Sequence, residues 1–366
     1  MSSSTSISEL KRAGAWLSGA AAAVLALCVA LEGLLHFLPS GSDLHRENPQ
    51  SPASSARLVR NYQYTFSMGW DLRYVVHGRT NSMGFISPHE YRSDVQSIAL
   101  LGDSFAEGEM LSYEDSLVGH LDALSKGRVQ TYNFGLSGAA LPHYLGIARE
   151  MGPRFAFKAA VVIVGQGDYI EGFESKEGQY RWGRAGEDDV MLVPAETRSR
   201  LKQVVRSSAL LRYLRYNLKF VAGRMFSHPG EAKCEPVKLG DTDRQRLSHY
   251  VDELPRALGV EPRRIVMLFN GNTRDVYEHV DRVRAGDVAA KTCDTLDSLA
   301  REELRSLARA RGIQVVEVVP LLESHYRAYR RPLDFRPVDS HWNGLATSIV
   351  AAEVARRLAN KGPGYF

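Results

Sequence analysis

The run Ile98-Ala-Leu-Leu-Gly-Asp-Ser-Phe-Ala-Glu-Gly108 decides how the rest of the chain is read. Four apolar residues, Ile98 to Leu101, stop at Gly102-Asp103-Ser104, and Gly108 follows four residues after the serine. An apolar run cut by small and polar residues is the pattern of a buried parallel strand ending in a tight turn. In an open α/β sheet the carboxyl ends of the strands are where ligands bind. A serine lifted onto that rim becomes a nucleophile if a base lies within hydrogen-bond reach. The plainer reading is an Asp-Ser turn that only caps the next helix. The tripeptide by itself does not separate the two.

Outward from this turn, apolar strands alternate with helices. Strand Ser97–Leu101 leads to the serine, and a helix is expected over Ser116–Ser125. Strand Val129–Tyr132 ends in Asn133-Phe-Gly-Leu-Ser-Gly138, with a helix over His143–Met151. Strand Ala159–Val164 ends in Gly165-Gln-Gly-Asp168, and strand Arg264–Phe269 in Asn270-Gly-Asn272. A helical stretch, Asp294–Ala310, leads into strand Gln314–Val318, and Asn343 caps a last helix over Leu345–Leu358. This rhythm implies a parallel sheet with helices on both faces. The polar strand ends then converge on one rim. Residues 171–259 break the rhythm as an insertion, polar at first and then basic and helical. Arg198, Arg200, Lys202, Arg206, Arg212, Arg215, Lys219 and Arg224 are interleaved there with Val204, Val205, Leu210, Leu211, Tyr213 and Leu214. It reads as a helical lid of ordinary solvated charge. A basic amphipathic face docking on anionic lipid or charged polysaccharide is the alternative.

A serine nucleophile needs a base, and the best-placed histidine is His341 in Val338-Asp-Ser-His-Trp-Asn343, in a turn ahead of the last helix. Asp339 could orient its imidazole and stabilise its charged form. Asp-x-His alone would equally suit a metal. His120, His249 and His325 fall in helical patterns and read as ordinary surface or core residues. Acyl transfer also needs donors where the oxyanion develops, each commonly worth about 3–4 kcal/mol. The backbone N–H of Ser104, that of Gly135 and a side-chain amide at the end of the third strand are the candidates. A side chain at position 135 would block the approach of substrate to backbone.

Gly102-Asp103-Ser104, Asn133-Phe-Gly135, Gly165-Gln-Gly-Asp168 and Asp339-Ser-His341, in this order, resemble the blocks of the SGNH/GDSL hydrolase superfamily. The resemblance covers residues 95–170 and 310–360. It implies a flavodoxin-like three-layer parallel sheet and a serine esterase or acyltransferase mechanism, with no cofactor or metal. By the same resemblance Ser104 is the nucleophile, His341 the base, Asp339 the acid and Gly135 an oxyanion donor. Two departures stand out. The family's third block is usually Gly-x-Asn-Asp, whereas Gly167 occupies the asparagine position here. Gln166, Asn270 or Asn272 would have to supply the amide. The fourth block has Asp-x-His-Trp where Asp-x-x-His is usual. That shorter spacing is similar to the bacterial alginate O-acetyltransferases, which carry it ahead of the serine rather than after it.

At 366 residues, 44% apolar and 24% charged, the composition is that of a globular protein with a substantial core. A net charge of +4 gives no case for nucleic-acid binding. The amino end differs. Ala13 to Leu31 carries no charge and follows Lys11 and Arg12. As a helix it spans roughly 28 Å, close to the hydrocarbon thickness of a bilayer. A cleaved signal peptide is the rival reading, but no small-x-small site follows directly and Leu34-Leu35-His36-Phe37-Leu38 prolongs the run. The expected organisation is a cytoplasmic tail (1–12), an anchor (13–38), a linker (39–60) and an extracytoplasmic domain (61–366). Glu32 argues against a deep position for the last turn of the anchor. Short aromatic runs from Tyr62 to Arg92 predict a β-rich lead-in with a turn at Asn81-Ser-Met-Gly-Phe85. Cys28 lies in the anchor, which leaves Cys234 and Cys293 as a disulfide candidate in an oxidising compartment.

The expected function is ester hydrolysis outside the cytoplasmic membrane, on O-acyl groups of a cell-surface carbohydrate. An O-acetyltransferase with the same triad, served by a membrane acyl-donor protein, is the alternative. A polysaccharide-binding module without turnover is a third, from another class. The expected partners are an acylated carbohydrate or small ester and, through the N-terminal helix, the membrane.

Overall fold

Alternation along Ile98, Ala99, Leu100 and Leu101 sends successive side chains to opposite faces, and each face meets its own hydrophobic layer. A computed structural model describes residues 3–42, 44, 46–47, 54–183, 189–194, 207–218, 237–271, 273–285, 294–360 and 366. Its central sheet has five parallel strands, β1 (Ser97–Leu101), β2 (Gln130–Asn133), β3 (Phe157–Val164), β4 (Ile265–Phe269) and β5 (Gln314–Glu317), in the order β5-β4-β3-β1-β2. β2 is added on one side of β1 and β3 on the other, so the strand order reverses between β1 and β3. That reversal is where an open α/β sheet forms its ligand crevice. The register sets Leu101 beside Val162 and Leu100 beside Asn133.

The described helices are α1 (Ser3–Phe37), α2 (Ser104–Glu107), α3 (Leu117–Ser125), α4 (Leu141–Met151), α5 (Ala209–Arg212), α6 (Asp241–Leu258), α7 (Thr273–Ala285), α8 (Leu296–Ala310), α9 (Val318–Tyr329) and α10 (Gly344–Ala359), with single turns besides. Tyr144, Leu145, Leu247, Leu254 and Leu304 from α4, α6 and α8 cover one face of the sheet. Leu121, Val276, Leu322 and Val350 from α3, α7, α9 and α10 cover the other. This is the expected three-layer α/β fold.

Several expectations need correction. The insertion ends well before Gly259, because α6 belongs to the core. Leu247, Tyr250, Val251, Leu254 and Leu258 recur at helical spacing on its buried face, while its polar remainder disguised that stripe. The end of the expected linker is likewise part of the fold. Arg46–Glu47 pairs with Arg57–Leu58, and buried Arg57 is bonded to Glu150 at 2.5 Å. Its guanidinium stacks 4.9 Å from the centre of the Phe85 ring. α7 was not foreseen, and α9 only as the helical pattern around His325. The turn at Asn81 is present, its side-chain oxygen accepting from the N–H groups of Met83 and Phe85. Cys234 and Cys293 lie outside the described residues, as do Asn272 and most of the basic stretch from Arg198 to Arg224.

The chain divides into two compact units. One comprises residues 1–43, 64–75 and 198–227, and the other residues 44–63, 76–197 and 228–366. In the first, Lys11–Phe37 of α1 is long and apolar enough to cross a membrane, with mean hydropathy 2.0. Cys28 lies within it as a free thiol.

Candidate active site

Gly102 ends β1 where backbone and sheet come too close for a side chain. A Cβ there would lie 2.8 Å from that of Ala106 and 3.1 Å from that of Ile163. The chain then turns directly into α2. Asp103 is its N-cap and accepts from the Phe105 N–H at 2.9 Å, while Ser104 is the first helical residue. The capping side chain and the half-buried Ser104 hydroxyl therefore coexist in adjacent residues. At the first position of a helix, the Ser104 N–H is one of those the helix itself cannot satisfy.

His341 and Asp339 come from the far end of the chain. They lie not in a turn but in a short strand, β7 (Asp339–Trp342), paired antiparallel with β6 (Asp334–Phe335). Strand periodicity puts residues i and i+2 on one side, and this is what makes Asp-x-His a working spacing. The Asp339 carboxylate can only accept, so the His341 Nδ1–H donates to Asp339 Oδ1, at 2.5 Å. Nε2 is thereby left as the acceptor, 2.8 Å from Ser104 Oγ. The same Asp339 oxygen accepts from the His341 backbone N–H at 2.8 Å, which fixes the carboxylate against the strand. Thr273 at the start of α7 donates to Asp334 and to the Ser340 carbonyl, both at 2.9 Å. Phe105 packs on the imidazole with ring centres 4.6 Å apart. The ring is thus held from three sides.

The expected oxyanion groups fare less uniformly. Gly135 is required, but for another reason than substrate approach. Its N–H donates to Asn133 Oδ1 at 2.9 Å, and a Cβ there would lie 2.3 Å from the Glu107 nitrogen. It lets the second rim block press against α2. Gly167 has φ +90°, and its N–H donates to Asp297 Oδ2 at 2.8 Å. Gln166 is exposed and lines a cavity of about 540 Å³ with Asp297, Ser298, Arg301 and Arg305 at the start of α8, and none of the three triad residues lines it. Asn270 is 3% exposed, with its carbonyl bonded to Arg301 at 2.7 Å. No hydrogen bond among the described residues joins Gln166 or Asn270 to Ser104 or His341.

Three acids gather behind the serine turn. Burial pushes the carboxyls of Asp103 and Glu107 above the ordinary range, and that of Asp168 well above it. Asp168 accepts from the Gly165 N–H at 2.8 Å and from the Tyr144 hydroxyl at 3.0 Å. Glu107 accepts from the Ser137 N–H at 3.1 Å and from its hydroxyl, so it ties the second block to α2. Sequence reading missed both roles. The only signal was position, since each acid sits inside a rim block where a surface residue would serve no purpose. His120, His249 and His325 are structural. His120 meets the Gly344 carbonyl, His249 pairs with Asp189, and His325 packs on Tyr329.

No protein-family model and no curated protein sequence matches the chain. Among solved structures it is similar to a member of the lipolytic G-D-S-L family from Veillonella parvula, at 13% identity over 73% of this chain and 100% of that one, with a TM-score of 0.36. It is similar to the lipase/acylhydrolase from Enterococcus faecalis, at 10% identity over 73% and 96%, with a TM-score of 0.37. A two-domain esterase active on acetylated mannans is similar at 11% identity over 74% and 52%, with a TM-score of 0.38. The first three blocks stand at the carboxyl ends of β1, β2 and β3, where their sequence implied, and the fourth stands in β7. The chain thus has a three-layer α/β fold whose rim blocks resemble those of the SGNH/GDSL hydrolases, departing from them at the third block.

Proposed function

We propose that the chain is a serine ester hydrolase acting outside the cytoplasmic membrane, on O-acyl groups of a cell-surface carbohydrate. The observation that carries the catalytic reading is the unbroken path from Ser104 Oγ through His341 to Asp339. Ser104 Oγ attacks the acyl carbon as its proton passes to His341 Nε2, and Asp339 stabilises the imidazolium from the other side. The Ser104 N–H faces the developing oxyanion. His341 returns the proton to the leaving alkoxide, and water then releases the acyl group by the same route. The location and the carbohydrate rest on α1 as an anchor with Lys11 and Arg12 on its cytoplasmic side. A transferase would use a sugar hydroxyl in place of water.

The test uses the full-length protein in detergent with p-nitrophenyl acetate, beside Ser104→Ala. We expect an acetyl adduct on the wild type alone, by intact mass, and turnover reduced by roughly 10³-fold or more in the variant. Equal behaviour of two folded proteins would leave a binding module. Faster transfer to an oligosaccharide than to water would make the protein an acetyltransferase.

A further inference from the structure

The unit that contains α1 holds a carboxylate with an unusual set of partners. Glu32 accepts from the backbone N–H groups of Ala209 and Leu210, at 2.8 and 2.9 Å, and from the Ser208 hydroxyl at 2.8 Å. His36, one turn on, meets it at 3.1 Å. The carboxylate of the apolar helix thus caps α5. Further bonds knit the same segment together. Arg212 donates to the Gly41 carbonyl at 2.9 Å, and the Tyr213 hydroxyl donates to the Trp70 carbonyl. Buried Asn217 donates to Ser67 Oγ at 3.0 Å and to the Gly69 carbonyl at 3.2 Å. Residues 207–218 therefore bridge the end of α1 and the segment around Trp70.

Length fixes the level at which this happens. Between Arg12 and Glu32 the helix carries no charge. At 1.5 Å per residue that interval rises about 30 Å, the thickness of a bilayer's hydrocarbon layer. An acid at the edge of the layer, with its oxygens paired, avoids the cost of a charge at its centre. Whatever is bonded to Glu32 then lies at headgroup depth. Beside the Arg73–Asp71 ion pair and Arg215, this unit exposes several large apolar side chains there. Trp70 is 70% exposed, Phe37 90%, Leu211 43% and Leu218 45%. Leu211, Arg215 and Leu218 recur at helical spacing, all exposed. Tryptophan, leucine and arginine together suit the boundary between acyl chains and phosphates.

We propose that residues 207–218 and the segment around Trp70 form a collar seated in the headgroup layer of the bilayer that holds α1. Trp70, Leu211 and Leu218 enter the acyl boundary, and Arg215 meets lipid phosphate. The inference rests on α1 spanning the membrane, and the test separates the two. Full-length protein is reconstituted in phosphatidylcholine–phosphatidylglycerol vesicles with lipid brominated near the headgroup, and tryptophan quenching is read. Trp182 and Trp342 are buried and serve as background. Trp70→Phe should remove about half of the quenchable emission, the remainder coming from Trp16, and Leu211→Asp with Leu218→Asp should give a similar loss. If Trp16→Phe abolishes quenching while Trp70→Phe leaves it unchanged, α1 is embedded and the collar stands in water, which overturns the proposal. If neither variant changes quenching, α1 itself does not span and both readings fail.

Discussion

Asp339 does two things to His341. It accepts from the ring and from the backbone N–H of the same residue, so the carboxylate sets both tautomer and orientation. Asp339→Asn keeps the shape but presents an amide to Nδ1, which favours the wrong tautomer. We expect kcat for p-nitrophenyl acetate to fall on the order of 10³–10⁴-fold with the circular dichroism unchanged. These residues were legible because chemistry restricts what can stand beside a serine nucleophile. Gly135 was legible as necessary, but its reason was not. A sequence shows that a side chain is missing, whereas only the packing shows that Glu107 and Ala106 fill its place. The neighbouring glycine supplies the comparison. Nothing lies within 4 Å of a Cβ at Gly138, although its φ is +71°. Gly138→Ala should cost about 1 kcal/mol from backbone strain. Gly135→Ala should cost about 3 kcal/mol or more by overpacking, and should shift α2 and reduce activity. Urea unfolding of the two variants checks the contrast.

Strand β7 is four residues long and carries His341, the proposed base, so its support matters more than its size suggests. Asn343 follows it and caps α10 through the N–H groups of Leu345 and Ala346, both at 3.1 Å. Its amide also donates to the carbonyls of Pro332 and Asp334, at 3.0 and 3.1 Å. One side chain thus fastens the strand of the base to the helix that packs on α3. Asn343→Ala should cost about 1–2 kcal/mol in urea unfolding and lower kcat without changing KM. The cap was readable from sequence, since asparagine before an amphipathic run is a common helix start. The strand was not, because four residues pairing with two leave too short a pattern for periodicity to register. The converse error befell α6. Its apolar stripe was complete, but it adjoined a polar and basic stretch and was absorbed into it.

Across the whole molecule the sheet was readable because β1, β3 and β4 are apolar runs closed by small polar residues. The division into units was not, since it joins residues distant in sequence through bonds such as those of Glu32 and Asn217. Three raised carboxyls behind one turn also give the fold a characteristic response to pH. A buried acid with a raised pKa holds its proton in the native state while the unfolded chain has lost it. Its effect on stability is therefore harmless below the ordinary carboxylate range and grows unfavourable as pH rises above it. Asp168→Asn removes that linkage at the most perturbed of the three. The variant should gain on the wild type by up to about 1.4 kcal/mol per pH unit above pH 4, until the native carboxyl ionises. Unfolding free energies of both proteins from pH 4 to 8 measure it, and parallel curves would contradict it.

Ser104 and His341 are 237 residues apart, so the reactive pair straddles most of the molecule. A chain made from its amino end displays the serine long before the histidine exists. During that interval the hydroxyl has no proton acceptor and is as inert as any alcohol. Competence then arrives late in synthesis and in one step, when β7 pairs with β6 and α10 docks on α3. Under the proposed triad, the chain would be barred from attacking esters during its own biogenesis, and the appearance of activity would become a clock for the completion of folding.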